Sequence, residues 1–285
     1  MNRSLVIAKR DFENARRSFL LWGVIGVFSI LVFLVTALPG LLSNSPIGGR
    51  AAVVLITFPA GVLVPVTAVI ASYLAIAGER ESGSLKILLS LPPSRREIVA
   101  GKFLGRSAVI GVAIAIAFVI GGVVGLLVYG DLPLVPYLLT MGLTGLLGIA
   151  FVGLSVGLSA ATSTRTRAMA PAIGLVIILG PLWSGIVTAI QFVADFGFSV
   201  TLARETVQGL TVLSPASGYG RLFNSVVLPD LLGGVGAGQI AGSGPVSTVG
   251  APFYLQDWFV FALMIAWTVV PIALGYLRFK GSDIS

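Results

Sequence analysis

Six long apolar runs constrain this chain more than any other feature of its sequence. Each run has at least 20 residues and contains no Asp, Glu, Lys or Arg; the runs are 19–38, 51–77, 108–129, 137–161, 169–193 and 258–277. A helix needs about 20 mostly apolar residues to cross the roughly 30 Å hydrocarbon core of a bilayer. The buried core of a soluble protein could explain one such run but not six. The sequence therefore predicts an all-α polytopic membrane protein with six transmembrane helices, forming a single transmembrane domain over residues 1–285.

The basic residues divide unevenly between the two sets of connections. Fifteen of the 18 lie in the N-terminus, the 78–106 and 162–168 connections and the C-terminus, whereas only Arg50, Arg204 and Arg221 lie in the alternate connections. Lys and Arg accumulate on the cytoplasmic side of membrane proteins. We therefore expect a cell-membrane protein with both termini in the cytoplasm. Membrane topology also explains the net charge of +7, so no nucleic-acid partner is expected.

The prolines of two runs predict irregular helices. Pro59 and Pro65 lie in the second run, and Pro171 and Pro181 lie in the fifth. Sharp kinks in helices occur most often at proline. We therefore expect a local bend or break in both of these spans.

The residues before the first run favour an amphipathic helix. On a helical projection of residues 2–18 and the residue that follows, most charges lie opposite one apolar face, whose members are Leu5, Ala8, Phe12, Ala15 and Phe19. This pattern predicts a helix lying in the cytoplasmic interface of the membrane. A solvated charged tail is the alternative.

The long 194–257 segment carries an apolar stripe. Its members follow the helical spacing i, i+3, i+4, i+7, i+8 and are Tyr219, Leu222, Phe223, Val226 and Val227. We expect a short helix on the external surface of the membrane or over the mouth of the helix bundle. It would act as a lid or as a docking element for a partner. A static cap is the alternative. The glycine-rich residues 233–245 predict a flexible loop.

Several absences restrict the chemistry of this chain. It contains no Cys and no His, and it lacks the phosphate loop G-x-x-x-x-G-K-[ST]. The G-x-S-x-G match at 153–157 lies in the middle of a span, away from the strand-to-helix turn that a nucleophile elbow requires. We therefore expect no catalytic, cofactor or metal site on this chain. The absence of carboxylates from the spans also disfavours an ion-driven transporter.

The 78–106 connection combines charge with helix-boundary signals. It holds nine of the chain's 29 charged residues. Ser84 is a candidate N-cap for the short helix LKILLSL, which Pro92 and Pro93 would end. Its apolar face, formed by Leu85, Leu88 and Leu89, has to dock on lipid or on protein. The residue types alone leave two interpretations open: a rigid element that transmits force, or a loop that only anchors two spans.

A second helix is predicted to begin directly after this short one. Ser94-Arg95-Arg96-Glu97 has the capping-box pattern S-x-x-E. The apolar residues that follow lead into the third run. We therefore expect one continuous helix from the capping box into the membrane.

The same connection resembles the signature of ABC-2 type transporter permeases. That signature reads E-R-E-x-G-[ST]-L-x-x-L-L-x-x-P-x-S-R-x-E-x-x-x-G-K, and the chain matches it at Glu79, Arg80, Glu81, Gly83, Ser84, Leu85, Leu88, Leu89, Pro92, Ser94, Arg95, Glu97, Gly101 and Lys102. The six-span layout, the amphipathic N-terminal helix and the long segment before the last span are similar to that family over the whole chain. Residues 213–223, LSPASGYGRLF, resemble permeases of the NosY type, which serve the maturation of a copper site.

The resemblance implies a division of labour between two kinds of subunit. The helix at 84–91 would be a coupling helix in a groove of a separate ATP-binding subunit, which would carry ATP and Mg. The three leucines would fill the groove, and charged residues would orient the contact at its rim; these are Glu79, Arg80, Glu81, Arg95 and Arg96. The permease would pair with a second copy, as a homodimer, through glycine-lined helix faces.

The resemblance leaves the substrate unidentified. Soft Cu(I) favours Cys and Met ligands, and the chain has no Cys and only four scattered Met. A NosY-like role would therefore leave the metal to partner proteins or move something else. The expected function is the permease subunit of an ATP-driven transporter, which does not hydrolyse ATP itself. The alternative is a non-transporting membrane scaffold that assembles partner proteins.

Overall fold

The described part of the chain folds almost entirely into helices. A computed structural model describes residues 3–17, 19–42, 48–82, 94–197, 202–232 and 252–281. The α-helices are α1 (Arg3–Arg16), α2 (Phe19–Leu42), α3 (Gly49–Ser72), α4 (Ala77–Glu81), α5 (Arg95–Tyr129), α6 (Leu134–Ala161), α7 (Arg165–Leu179), α8 (Trp183–Gly197), α9 (Arg204–Val212), α10 (Pro215–Leu222), α11 (Leu228–Leu231) and α12 (Asp257–Lys280). A π-helical turn, Phe223–Val227, joins α10 to α11, and a 3₁₀ turn, Phe253–Leu255, precedes α12. No β-strand occurs in these ranges.

Five helical units of the described chain are long and apolar enough to cross a membrane. They correspond to the first, second, third, fourth and sixth predicted runs. The fifth run forms two helices, α7 and α8, that bend by 63° at a short break. If this pair is one broken span, the number of candidate spans is six. The prediction of an all-helical, multi-span membrane protein is confirmed.

The break in the fifth run lies where the sequence placed a helix breaker. Residues 180–182 separate α7 from α8, and Pro181 is the central residue of this break. Proline has no amide hydrogen, and its ring clashes with the preceding turn. The proline prediction is confirmed here.

The second run breaks at a different place from the one its prolines indicated. Helix α3 continues through both Pro59 and Pro65. It ends at Ser72, and the short helix α4 begins at Ala77 after a turn at 73–76. The break therefore depends on partners elsewhere in the fold, which are described below.

Helices α6 and α12 approach one another more closely than any ordinary side chain would permit. A Cβ atom on Gly157 would lie 2.2 Å from the carbonyl oxygen of Pro271, and one on Gly275 would lie 2.1 Å from the carbonyl oxygen of Gly157. A Cβ on Gly153 would lie 2.7 Å from the carbonyl oxygen of Thr268. Small residues let membrane helices pack backbone against backbone. This glycine face of α6 is therefore occupied within the chain.

The N-terminal helix packs on the start of α5. A Cβ on Gly101 would lie 2.6 Å from the Ile7 side chain, and one on Gly105 would lie 2.9 Å from that of Asp11. Ala15 is buried in a small cluster with Ile25 and two residues of α5. The predicted helix is confirmed, but one charged residue of it, Asp11, points inward. Contact with α5 therefore positions α1, in addition to any contact with the membrane interface.

Candidate functional site

The structure describes both ends of the 78–106 connection. The part that carries the predicted short helix, 83–93, lies outside the described residues, as do Gly83, Ser84, Leu85, Leu88, Leu89 and Pro92. The coupling-helix assignment therefore stays a prediction. The described ends show how such an element would be attached to the bundle.

The end that follows the undescribed residues is the N-terminus of α5. The Ser94 amide donates to Glu97 Oε2 at 2.7 Å, and the Glu97 amide donates to Ser94 Oγ at 3.3 Å. This reciprocal pair satisfies two amides that would otherwise lack partners at a helix start. The predicted capping box is confirmed, and the helix that it begins continues without interruption to Tyr129.

The end that precedes the undescribed residues is α4, and the charged side chains on it point to different helices. Glu79 accepts from Lys102 of α5. Arg80 donates to the carbonyl oxygen of Thr162, directly after α6, at 3.4 Å. Glu81 accepts from the Arg165 amide at the start of α7. A negative charge is favourable at a helix N-terminus, where amides lack partners within the helix.

The last helix reaches the same place through Phe279. The guanidinium carbon of Arg80 lies 5.9 Å from the centre of the Phe279 ring, and that of Arg95 lies 5.3 Å from it. Arg95 also donates to the carbonyl oxygens of Phe279 and Lys280, the latter at 3.0 Å. The ring is fully buried. Both described ends of the connection are therefore attached to the C-terminal turn of α12.

A buried charge cluster joins α1 to this group. Lys102 Nζ lies 2.8 Å from Asp11 Oδ1 and also contacts Glu79. Arg106 Nε lies 2.9 Å from Asp11 Oδ2, and Arg106 Nη1 donates to the carbonyl oxygen of Ala71 at 2.7 Å. Two cations and two carboxylates balance one another. Balance of this kind is required because a buried charge without a partner is strongly unfavourable.

The resemblance implied that five charged residues orient a contact at the rim of a partner's groove: Glu79, Arg80, Glu81, Arg95 and Arg96. The structure places Glu79, Arg80, Arg95 and Lys102 against the chain's own helices, and Glu81 at the start of α7. It also adds two residues that the sequence analysis did not single out, Asp11 and Arg106. The available signal was that Asp11 lies one helical turn before the apolar Ala15, on the inward face of α1. Its partner Lys102 is 91 residues away in the sequence, so no local pattern connects the two.

The apolar stripe of the 194–257 segment is buried in the bundle. Tyr219, Leu222, Phe223 and Val227 are at most 4 % exposed, whereas Val226 is 39 % exposed. The stripe runs from α10 into the π-helical turn. Packing of this segment against the bundle is confirmed for four of its five members. The proposed lid role is not tested by this placement.

Hydrogen bonds fix the same segment to several helices. Thr144 of α6 donates to the carbonyl oxygen of Thr140, so the Tyr219 hydroxyl is the donor in its 3.2 Å contact with Thr144. Burial raises the pKa of Tyr219 to about 12. The indole of Trp183 donates to the carbonyl oxygen of Leu210 at 3.0 Å. Residues 233–245, the predicted flexible loop, lie outside the described ranges.

The described residues define the general class of this protein. They form a multi-span bundle whose second and third spans are joined by a charged connection that contacts the other helices. Within these ranges, no three Asp, Glu, His or Cys side chains come together as metal ligands. The charged connection is thus attached to the other helices of a multi-span membrane protein by its own side chains.

Comparison with known proteins shows the family. A family model described as "ABC-2 family transporter protein" matches residues 5–284, and the chain belongs to this family. The chain is 27 % identical over 288 residues to a protein of Stutzerimonas stutzeri named "Probable ABC transporter permease protein NosY", covering 98 % of this chain and 99 % of that protein. It is 29 % identical over 241 residues to a Pseudomonas aeruginosa protein of the same name, covering 82 % of this chain and 81 % of that protein.

Membership of this family fixes the general role of the chain. It is a multi-pass membrane protein and a transmembrane subunit of an ABC transporter. Such subunits associate with an ATP-binding subunit and are generally not catalytic themselves. The suspected resemblance to ABC-2 permeases is thereby confirmed.

Proposed function

We propose that this chain couples ATP hydrolysis on a separate ATP-binding subunit to the export or movement of an as yet unidentified substrate. The ATP-binding subunit, with its ATP and Mg, docks on residues 84–91. Six spans place both termini and this docking element in the cytoplasm. The fifteen-to-three distribution of Lys and Arg supports this orientation.

One observation carries the proposal. The described ends of the 78–106 connection contact α1, α6, α7 and α12 through the side chains of Glu79, Arg80, Glu81, Arg95 and Lys102. A connection that only anchored two spans would need no contacts to four further elements. These contacts provide a direct route by which a displacement of the connection reaches the whole bundle.

The burial of these contacts makes the route stiff. Lys102 and Asp11 are nearly inaccessible to solvent, and Glu79 is two-thirds buried. In a medium of low dielectric constant, pairs of opposite charge interact more strongly than they do at a surface. Opening the cluster is therefore costly, and the helices attached to it move together.

A second copy of the chain completes the transporter in this proposal. The glycine face at 153 and 157 is occupied by α12, so it is not available for a dimer. A different glycine pair on α6 is open: among the described residues, nothing lies within 4 Å of a Cβ built on Gly142 or Gly145. Small residues favour close association of membrane helices. We therefore assign the homodimer contact to this face of α6.

The docking prediction is tested by introducing a charge into the leucine face. The tagged full-length chain would be purified from its native membrane, and co-purifying proteins that carry G-x-x-x-x-G-K-[ST] would be quantified together with ATP turnover. We expect Leu88→Asp to lose the ATP-binding subunit, because a carboxylate cannot be buried in an apolar groove without a partner. Val6→Asp is the matched control, since Val6 is 47 % exposed on α1 and does not belong to the apolar face of that helix.

Two results would contradict the proposal. One is normal recovery of the ATP-binding subunit and of ATP turnover with Leu88→Asp. The other is a wild-type chain that recovers a fixed set of partner proteins, none of which binds ATP. The second result would favour a membrane scaffold.

A further inference from the structure

The break between α3 and α4 lies inside the protein rather than at its surface. Ala75, Ile76 and Ala77 are at most 2 % exposed. A helix break frees amides and carbonyls that would otherwise pair within the helix. In a buried protein interior no water compensates for their loss, so each group needs a partner from the protein.

One side chain of α6 supplies that partner for two amides. Ile76 N and Ala77 N both donate to Ser159 Oγ, each at 3.0 Å. Ser159 is fully buried and lies two residues after Gly157, which contacts α12. On the other side of the break, Arg106 donates to the Ala71 carbonyl oxygen. The break is thus held by one residue of α6 and one of α5.

The neighbouring serine on the same face of α6 has a different role. Ser155 lies one turn earlier and is also fully buried. Its hydroxyl donates to the carbonyl oxygen of Val69 at 3.4 Å, and that oxygen already accepts from the Tyr73 amide at 2.9 Å. Removal of the Ser155 hydroxyl leaves no backbone group without a partner. Removal of the Ser159 hydroxyl leaves two.

We propose that Ser159 is a positioning residue that ties the start of α4 to α6. This inference rests on the proposed coupling function and extends it. Helix α4 leads directly into residues 83–93, so Ser159 links a displacement of the docking element to α6. Since α6 and α12 touch through their backbones at Gly157 and Gly275, α12 follows α6. Both serines are buried on the same face of α6, but only the Ser159 hydroxyl is needed as a partner by backbone groups at the break. They therefore form a matched pair for mutation.

The test compares Ser159→Ala with Ser155→Ala in the complex of full-length permease and ATP-binding subunit. The first measurement is amide hydrogen exchange in residues 73–82. Leaving a buried amide without an acceptor increases the equilibrium constant for local opening of that segment on the order of tenfold. We therefore expect exchange about tenfold faster or more in Ser159→Ala and close to wild type in Ser155→Ala.

The second measurement is the change in ATP turnover that the permease imposes on the ATP-binding subunit. We expect the Ser159→Ala permease to keep the ATP-binding subunit bound. We expect the melting temperature of this complex to stay within a few degrees of the wild-type value. We also expect Ser159→Ala to lose most of the permease-dependent change in turnover. A purely structural role would lower stability without this selective loss. Ser155→Ala should behave as wild type in both measurements.

The outcomes separate this inference from the proposed function. If the wild-type permease binds no ATP-binding subunit, or does not change its turnover, both ideas fail together. If the wild-type permease changes the ATP turnover of the ATP-binding subunit and Ser159→Ala changes it by the same amount, only the role of Ser159 is refuted. Equal exchange in Ser159→Ala and Ser155→Ala would refute the bracing contact itself.

Discussion

Replacement of Lys102 by Met should release α1 from α5. Met retains most of the side-chain volume, so the change removes the charge with little loss of packing. Lys102 and Asp11 have side chains that are only 6 % and 3 % exposed. Loss of one partner from a buried ion pair costs about 3–5 kcal/mol. Asp11 keeps Arg106 at 2.9 Å, so we take the lower end, about 3 kcal/mol. That value corresponds to roughly a hundredfold increase in the fraction of detached α1.

The absence of cysteine from the chain makes this fraction measurable. Ala15 lies in the buried cluster between α1, α2 and α5, so an Ala15→Cys background reports each detachment of α1. A water-soluble maleimide should label this thiol at a rate proportional to the open fraction. We expect labelling of the Ala15→Cys, Lys102→Met chain to be roughly a hundredfold faster than that of Ala15→Cys alone.

Lys9 provides the matched control. Its ion pair with Glu13 on the same helix spans 4.0 Å, and the two side chains are 79 % and 52 % exposed. Exposed pairs of this kind contribute about 0–1 kcal/mol, so Lys9→Met should change the labelling rate at most severalfold. Equal rates for Lys102→Met and Lys9→Met would show that the buried cluster does not hold α1, and the reasoning would be refuted.

Two further changes test the packing of the bundle. Gly157→Ala places a Cβ 2.2 Å from the Pro271 carbonyl oxygen and should destabilise the bundle by about 1–3 kcal/mol or more, seen as a lower melting temperature in detergent. Gly111→Ala on α5 has open space and should not lower that temperature; the same drop in both would contradict the close contact of α6 with α12. Phe223→Ala should cost about 3–5 kcal/mol in the free energy of unfolding, whereas Val226→Ala, at 39 % exposure, should stay within about 0.5 kcal/mol. Equal effects of these two changes would argue against burial of the 219–227 stripe.

Local signals in the sequence determined the helical elements. The apolar runs predicted the candidate spans because a bilayer requires about 20 apolar residues in succession. The capping box at Ser94 and Glu97 could be read directly, because it depends on residues three positions apart. The break at Pro181 and the stripe at 219–227 were also visible, since each follows from a single residue type or from helical spacing.

Contacts between distant residues were decided only by the tertiary structure. Pro59 and Pro65 indicated a break in α3, but the break lies at 73–76, where Ser159 and Arg106 supply partners for the freed backbone groups. Ser159 is 83 residues from Ile76, and no local pattern marks it. The sequence likewise did not indicate that the side chains of Glu79, Arg80 and Arg95 contact other helices of the same chain. A residue's type and spacing predict its secondary structure, but its partner depends on which helices pack together, and that is set by the whole fold.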